Sequence, residues 1–211
     1  MVETPSVPDS QIDTFLNDNF NHPLWILDFI PSPACLVVPQ KMWTPPNQSD
    51  WRRYVEQAVL RMPVFFVQHN GAIGLPLTRA VIGDTAALSC AERAAPVGNG
   101  HSTQIRIAWP GYESWERQIQ IRDQTRDRNM ITLERFAKLV ASVVDRFLTH
   151  AANAHTYNPN WRVGPGGITR NDVVLVGTVQ VSAGGWMPIL QVSSLSPGPA
   201  APVHSFIPVH A

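Results

Sequence analysis

The chain has 211 residues, of which 44% are apolar and 15% charged. A chain of this size and composition can bury roughly 70% of the surface its unfolded form exposes, enough for one compact domain. Sixteen basic residues balance sixteen acidic ones, which argues against a chain dominated by attraction to nucleic acid or anionic membrane. The balance is uneven along the chain: residues 1–50 sum to −5, residues 51–170 to +6 and residues 171–211 to −1.

The N-terminus, Met1 to Pro8, has neither a basic region nor an apolar run, so it does not read as a secretory signal. The longest apolar runs, such as Val64–Val67 and Val173–Val176, fall far short of the ~20 residues that span a bilayer. Cys35 and Cys90 lie too far apart for a zinc or redox motif, and two free, buried thiols in a reducing compartment are expected. These features predict a cytoplasmic or nuclear protein with no membrane partner.

In chain order, Ser10-x-x-Asp13 has the form of a capping box, and Ile12, Phe15, Leu16 and Phe20 share a helical face, predicting a short helix in an N-terminal arm of residues 1–22. Prolines between Pro23 and Pro46 favour short extended segments around Leu24–Leu27 and Cys35–Val38. From Ser49-Asp50 to Met62, a helix is predicted with Trp51, Tyr54, Val55, Ala58, Val59 and Met62 as its buried stripe. Val64–Val67 reads as a strand closed by Asn70-Gly71, giving a β-turn-β unit over 64–77. Gly83-Asp84 opens a predicted small helix through Ala86, Ala87 and Leu88, and Gly98-Asn99-Gly100 then breaks the chain.

Gln104–Trp109 is the clearest strand, with Ile105, Ile107 and Trp109 on one face, and Glu116–Arg122 returns from it with Ile119 and Ile121 inward. A charged connector, Arg122–Arg128, leads to the longest helix, roughly 132–150, with Thr132 as N-cap and a stripe of Leu133, Phe136, Ala137, Val140, Val143, Val144 and Phe147. The last third predicts a hairpin of Val173–Val181 and Trp186–Val192 about Ala183-Gly184-Gly185, although Thr169-x-x-Asp172 also allows two helical turns over 170–176. Residues 193–211 hold four prolines and read as a flexible tail. The order predicts a single α+β domain over residues 23–192: a small antiparallel or mixed sheet from two or more hairpins on a long helix, with β-grasp-like and split-sheet topologies both open.

The sequence carries no G-x-S-x-G, H-E-x-x-H, Walker loop or G-x-G-x-x-G. Gly164-Pro165-Gly166-Gly167 reads as a turn. The seven histidines never pair at i+2 or i+4; His150 near a helix C-terminus is explained by the dipole, and neither a metal nor a cofactor is expected. His69 beside Asn70-Gly71 is the best acid–base candidate, and Cys90 is the other residue placed at the mouth of a pocket between the long helix and the sheet.

Two compositional features stand out. Seven tryptophans, several at turns, can supply platforms, and fourteen of the sixteen bases are arginine. Arg106, Trp109, Tyr112, Trp115, Arg117, Arg122, Arg126 and Arg128 gather on the central hairpin and its connector, predicting a non-catalytic interaction surface for an unknown protein or an anionic ligand. A small enzyme or small-molecule-binding protein with the His69/Cys90 pocket is the alternative. Single-stranded nucleic-acid binding is a second one, against which the interleaved acids and the two lysines weigh. A homo-oligomer is left open.

The segments Trp109-Pro110-Gly111-Tyr112, Trp115–Ile121 and Ile131-Thr132-Leu133 resemble a group of uncharacterised proteins of mushroom-forming fungi. Trp161-Arg162-Val163-Gly164-Pro165, Gly167-Ile168-Thr169 and Val181-Ser182-Ala183-Gly184-Gly185-Trp186 extend the resemblance to about residues 40–192. It implies a single intracellular domain and supplies no catalytic residues, since no activity is assigned to the group.

Overall fold

The computed structural model describes residues 15–17, 23–25 and 35–193. Strands β1 (Phe15–Asn17) and β2 (Pro23–Trp25) pair antiparallel. The helix expected across Phe15 and Leu16 is therefore replaced by a strand there, while the proposed cap at Ser10–Asp13 lies outside the described residues, as do residues 194–211 of the expected tail.

Strand β3 (Cys35–Val37) leads to α1 (Gln48–Trp51), which runs straight into a π-helical turn at Arg52–Glu56. Strands β4 (Val64–Phe65) and β5 (Leu75–Pro76) precede helix α2 (Leu77–Ile82), strands β6 (Ser102–Ile107) and β7 (Trp115–Gln120), and helix α3 (Leu133–Ala151). The last described elements are β8 (Val173–Ser182) and β9 (Gly185–Ser193).

One mixed sheet organises the molecule in the order β4-β8-β9-β6-β7. Two antiparallel hairpins, β6-β7 and β8-β9, flank α3 in sequence, and their inner strands β6 and β9 lie side by side and parallel. That hairpin–helix–hairpin order, with first and last strands adjacent, matches the α+β, grasp-like expectation. β3 takes up the remaining length of the β9 edge, pairing Leu36 with Val192.

The far edge has an unusual form. β4 meets β8 at Thr178 and Gly177, the Phe66 amide donates to the Val176 carbonyl, and β5 meets Leu175 and Val174. β4 and β5 are thus two halves of one edge strand, interrupted by an excursion over residues 67–74 that turns at Asn70-Gly71 and closes through an antiparallel bridge between Val67 and Ile73. The predicted β-turn-β unit exists as this excursion, but its arms pair mainly with β8.

The core forms where α3 lies on the sheet. Thr132 caps the helix by accepting from the Arg135 amide, and Phe136, Ala137, Val140, Ala141, Val144 and Phe147 are all at most 1% exposed. They meet Ile105, Ile107, Trp109, Trp186 and Leu190 from the sheet. The stripe works because its i, i+3, i+4, i+7 spacing places every apolar side chain on one side of the cylinder.

Three further sequence expectations are settled by the structure. The predicted helix over 50–62 unwinds after Glu56, and its stripe is not core: Trp51 is 41%, Met62 58% and Val59 92% exposed. The pattern is helical, but tertiary contacts hold the chain otherwise, the Arg61 amide donating to Gln180 Oε1 and the Tyr54 carbonyl accepting from Ala183. The small helix lies before Gly83, not after it: Gly83 at φ +80° is its left-handed cap, a conformation that ends helices and suits glycine. The capping box at Thr169–Asp172 exists, but it opens one 3₁₀ turn at Arg170–Asp172, and Val173 is already strand.

Candidate functional site

The arginines do not form one surface, because consecutive strand residues face opposite sides of a sheet. Arg106 pairs with Glu116 across the hairpin, on the face away from α3, whereas Arg117 pairs with Ile105 and stands on the helix side. Arg106 is committed to internal contacts. Its guanidinium carbon sits 3.5 Å from the Trp43 ring centroid, Nε lies 3.3 Å from Glu116 Oε1, and Nη1 donates to Ser182 Oγ at 2.8 Å. Burial pulls this guanidinium below its usual pKa, and Glu116 opposes that shift.

Arg122 is likewise occupied, donating to the carbonyls of Asn99, Gly100 and Arg128 at 3.0–3.4 Å, so it braces two loops. Arg126 and Arg128 are exposed in the connector, Arg128 with φ +48°. The connector is held by Asp123, whose carboxylate accepts from the Thr125 hydroxyl and amide; these bonds, the hydroxyl's first, keep its pKa below the ordinary aspartate value.

The tryptophans divide as well. Trp109, expected on the interaction surface, is 1% exposed, its Nε1 donating to the Trp161 carbonyl at 2.9 Å and its ring packed on Phe147 and Trp161. It faces inward because it continues the Ile105, Ile107 alternation of β6. Trp186 is equally buried, against Phe136.

Tyr112 and Trp115 do reach a surface feature. With Glu113 and Ser114 of the hairpin loop, Phe147 and His150 of α3, and Ala154, His155 and Tyr157 after it, they line a cleft of about 420 Å³. Its floor is Phe147, which meets the rings of Tyr112 and Trp115 edge-on at 6.1 and 6.2 Å. Tyr112 is fixed by its hydroxyl, which accepts from the Val163 amide at 2.9 Å. Trp115 has two ring contacts: the His150 ring at 4.8 Å and the Arg117 guanidinium at 4.1 Å from its centroid. Opposite, Tyr157 is 82% exposed and meets His155 edge-on at 5.3 Å.

The two walls are locked where they meet. The Gly111 carbonyl accepts from the Tyr157 amide at 3.0 Å and from the Thr156 hydroxyl at 3.3 Å, so the hairpin loop and the segment after α3 move as one.

His69 and Cys90 sit elsewhere. His69 Nδ1 lies 3.4 Å from Ser89 Oγ in a shallow depression of about 390 Å³ shared with Asp84, Glu92 and Glu134 at the N-terminal end of α3. Cys90, expected buried, is exposed at φ +57° and is not part of that lining. The space between α3 and the sheet, where the His69/Cys90 pocket was expected, is filled by the apolar core.

His150, His155, Tyr157 and Glu113 were missed by sequence reasoning as site residues. The available signal was two histidines and a tyrosine within eight residues at the end of the longest helix. Among the described residues no cluster of three or more potential metal ligands occurs, and no helix is long and apolar enough to cross a membrane.

The fold and site therefore define an α+β domain with an aromatic cleft at the loop end of its central hairpin. Comparison with family models, curated proteins and solved structures finds no match to this chain.

Proposed function

We propose that the protein is a non-catalytic interaction module that binds its partner at the loop end of the central hairpin, in the cleft bounded by Tyr112, Trp115, His150 and Tyr157. The observation that carries this reading is the convergence of six aromatic or imidazole side chains from three separate segments around an open cavity. Ring faces supply large contact area with few rotatable bonds, the usual composition of binding hot spots. The cleft volume lies within the range of ligand pockets. The cytosol or nucleus is the compartment that fits the free Cys35 and Cys90.

A fragment screen followed by amide and indole NMR shifts tests this reading. Fragments are expected to shift the Trp115 indole and the ring protons of His150 and Tyr157, and Trp115→Ala is expected to abolish those shifts. Hits confined to the His69 depression would instead favour the small-molecule or enzymatic alternative and overturn the cleft as the site.

A further inference from the structure

We infer that the partner is an extended polypeptide that adds a strand to the open edge of β7 and places an arginine side chain in the aromatic cleft. The inference deepens the interaction-module reading and rests on it. Two independent features meet at Trp115, the first residue of β7 and a wall of the cleft.

The first feature is the edge itself. β7 ends the sheet and, among the described residues, pairs only with β6. The Ile121 amide donates to the His101 carbonyl, which sets the alternation of the ladder. Residues 115, 117 and 119 therefore turn their backbone groups to β6, and Glu116, Gln118 and Gln120 turn theirs outward. Three amides and the carbonyls of Gln118 and Gln120 form a template for an incoming strand, while the Glu116 carbonyl accepts from Arg117 Nη1 at 3.0 Å. Side chains on the helix side of that strand would lie beside Trp115 and Arg117.

The second feature is the chemistry of the cleft. Its lining contains no lysine or arginine, one carboxylate at Glu113, and the electron-rich faces of tyrosine and tryptophan. It also abuts the C-terminal end of α3, which carries partial negative charge. Each of these favours a positive guest. The protein displays the matching contact itself, for Arg117 already lays its guanidinium over Trp115 at 4.1 Å. A planar guanidinium can stack on rings and fork to a carboxylate, which a compact ammonium cannot do. This reverses the sign of the partner expected from the arginine count, because Arg106 and Arg122 are consumed by internal contacts.

The test uses the full chain and two synthetic heptapeptides, acetyl-Thr-Val-Thr-Arg-Thr-Val-Thr-amide and the same peptide with neutral citrulline in place of arginine. The arginine peptide is expected to shift the amides of Glu116, Gln118 and Gln120 together with the Trp115 indole. Citrulline is expected to weaken binding at least tenfold, and so is Glu113→Gln, an exposed substitution that leaves the fold intact. N-methylation of the residues flanking the arginine is expected to abolish the β7 shifts without any change to the protein. Equal affinity for the citrulline peptide would overturn the cationic guest, and indole shifts without β7 amide shifts would overturn strand addition. If neither peptide moves any resonance at millimolar concentration, the inference fails, while fragment hits in the cleft would still uphold the binding-module reading.

Discussion

Gly111→Ala tests whether the cleft is a built structure. Gly111 has φ +86°, and a Cβ there would fall 2.6 Å from Thr156 Oγ1 and 2.7 Å from both Cβ and N of Asn158. Gly166 has nearly the same backbone, φ +75°, but nothing within 4 Å of its Cβ position, so Gly166→Ala is the matched control. A left-handed conformation costs an L-residue about 1–2 kcal/mol, partly offset by about 0.4–1 kcal/mol from the stiffer unfolded chain. Gly166→Ala should therefore cost about 1 kcal/mol. Gly111→Ala carries that term and an overpacking term of about 1–3 kcal/mol, because the Asn158 amide and Cβ stand in the way as well as the Thr156 hydroxyl. The expected total is about 2–4 kcal/mol, with loss of the Tyr157 amide bond to the Gly111 carbonyl as the walls part. Urea unfolding at 25 °C measures both variants, and amide exchange at Tyr157 reports on the wall contact. If the two variants agree within about 0.5 kcal/mol and Tyr157 protection is unchanged, the close approach between loop and wall is refuted.

Trp109→Ala should cost about 3–5 kcal/mol in the same assay, since it removes a fully buried ring and leaves the Trp161 carbonyl without its donor; a cost below 1 kcal/mol would place the ring outside the core. Arg106→Lys should cost about 1–2 kcal/mol and change Trp43 fluorescence, because an ammonium cannot stack on Trp43 while reaching Glu116 and Ser182; unchanged fluorescence would contradict the stacking. Asp123 has a depressed folded pKa, so its contribution to connector order is present above the unfolded value of about 4 and lost as pH falls through the folded one. Protection of the Thr125 amide should accordingly fall below pH about 4 in the native chain and be flat with pH in Asp123→Asn; identical profiles would refute the linkage.

The elements that the sequence makes legible are those whose pattern and packing agree. The α3 stripe and the β6 alternation each bury one face against the other, so periodicity alone locates them. Residues 50–62 show the opposite case. Their spacing is as helical as that of α3, yet the chain is held at Tyr54 and Arg61 by the β8-β9 end of the sheet, and the helix gives way after Glu56. Periodicity reports what a segment could bury, and only tertiary contacts decide whether it does.

The same distinction governs the candidate site. Grouping Arg106, Arg117 and Arg122 by sequence treats a hairpin as a line, but the pleat sends Arg106 and Arg117 to opposite faces, and Arg122 turns back to loop carbonyls. A stretch rich in one charge therefore need not present a surface of that charge. What remains at the cleft is set by residues 112–115, 147–150 and 154–157, brought together by the Gly111 contact, with Glu113 in the lining and the Arg117 guanidinium over Trp115 beside it. A charge count points to an acidic partner, whereas the proposed arginine guest rests on the groups left unspent at the cleft. If Glu113→Lys strengthened binding of the arginine heptapeptide, the charge count would be the better guide. Weakening by more than tenfold is the outcome the cleft requires.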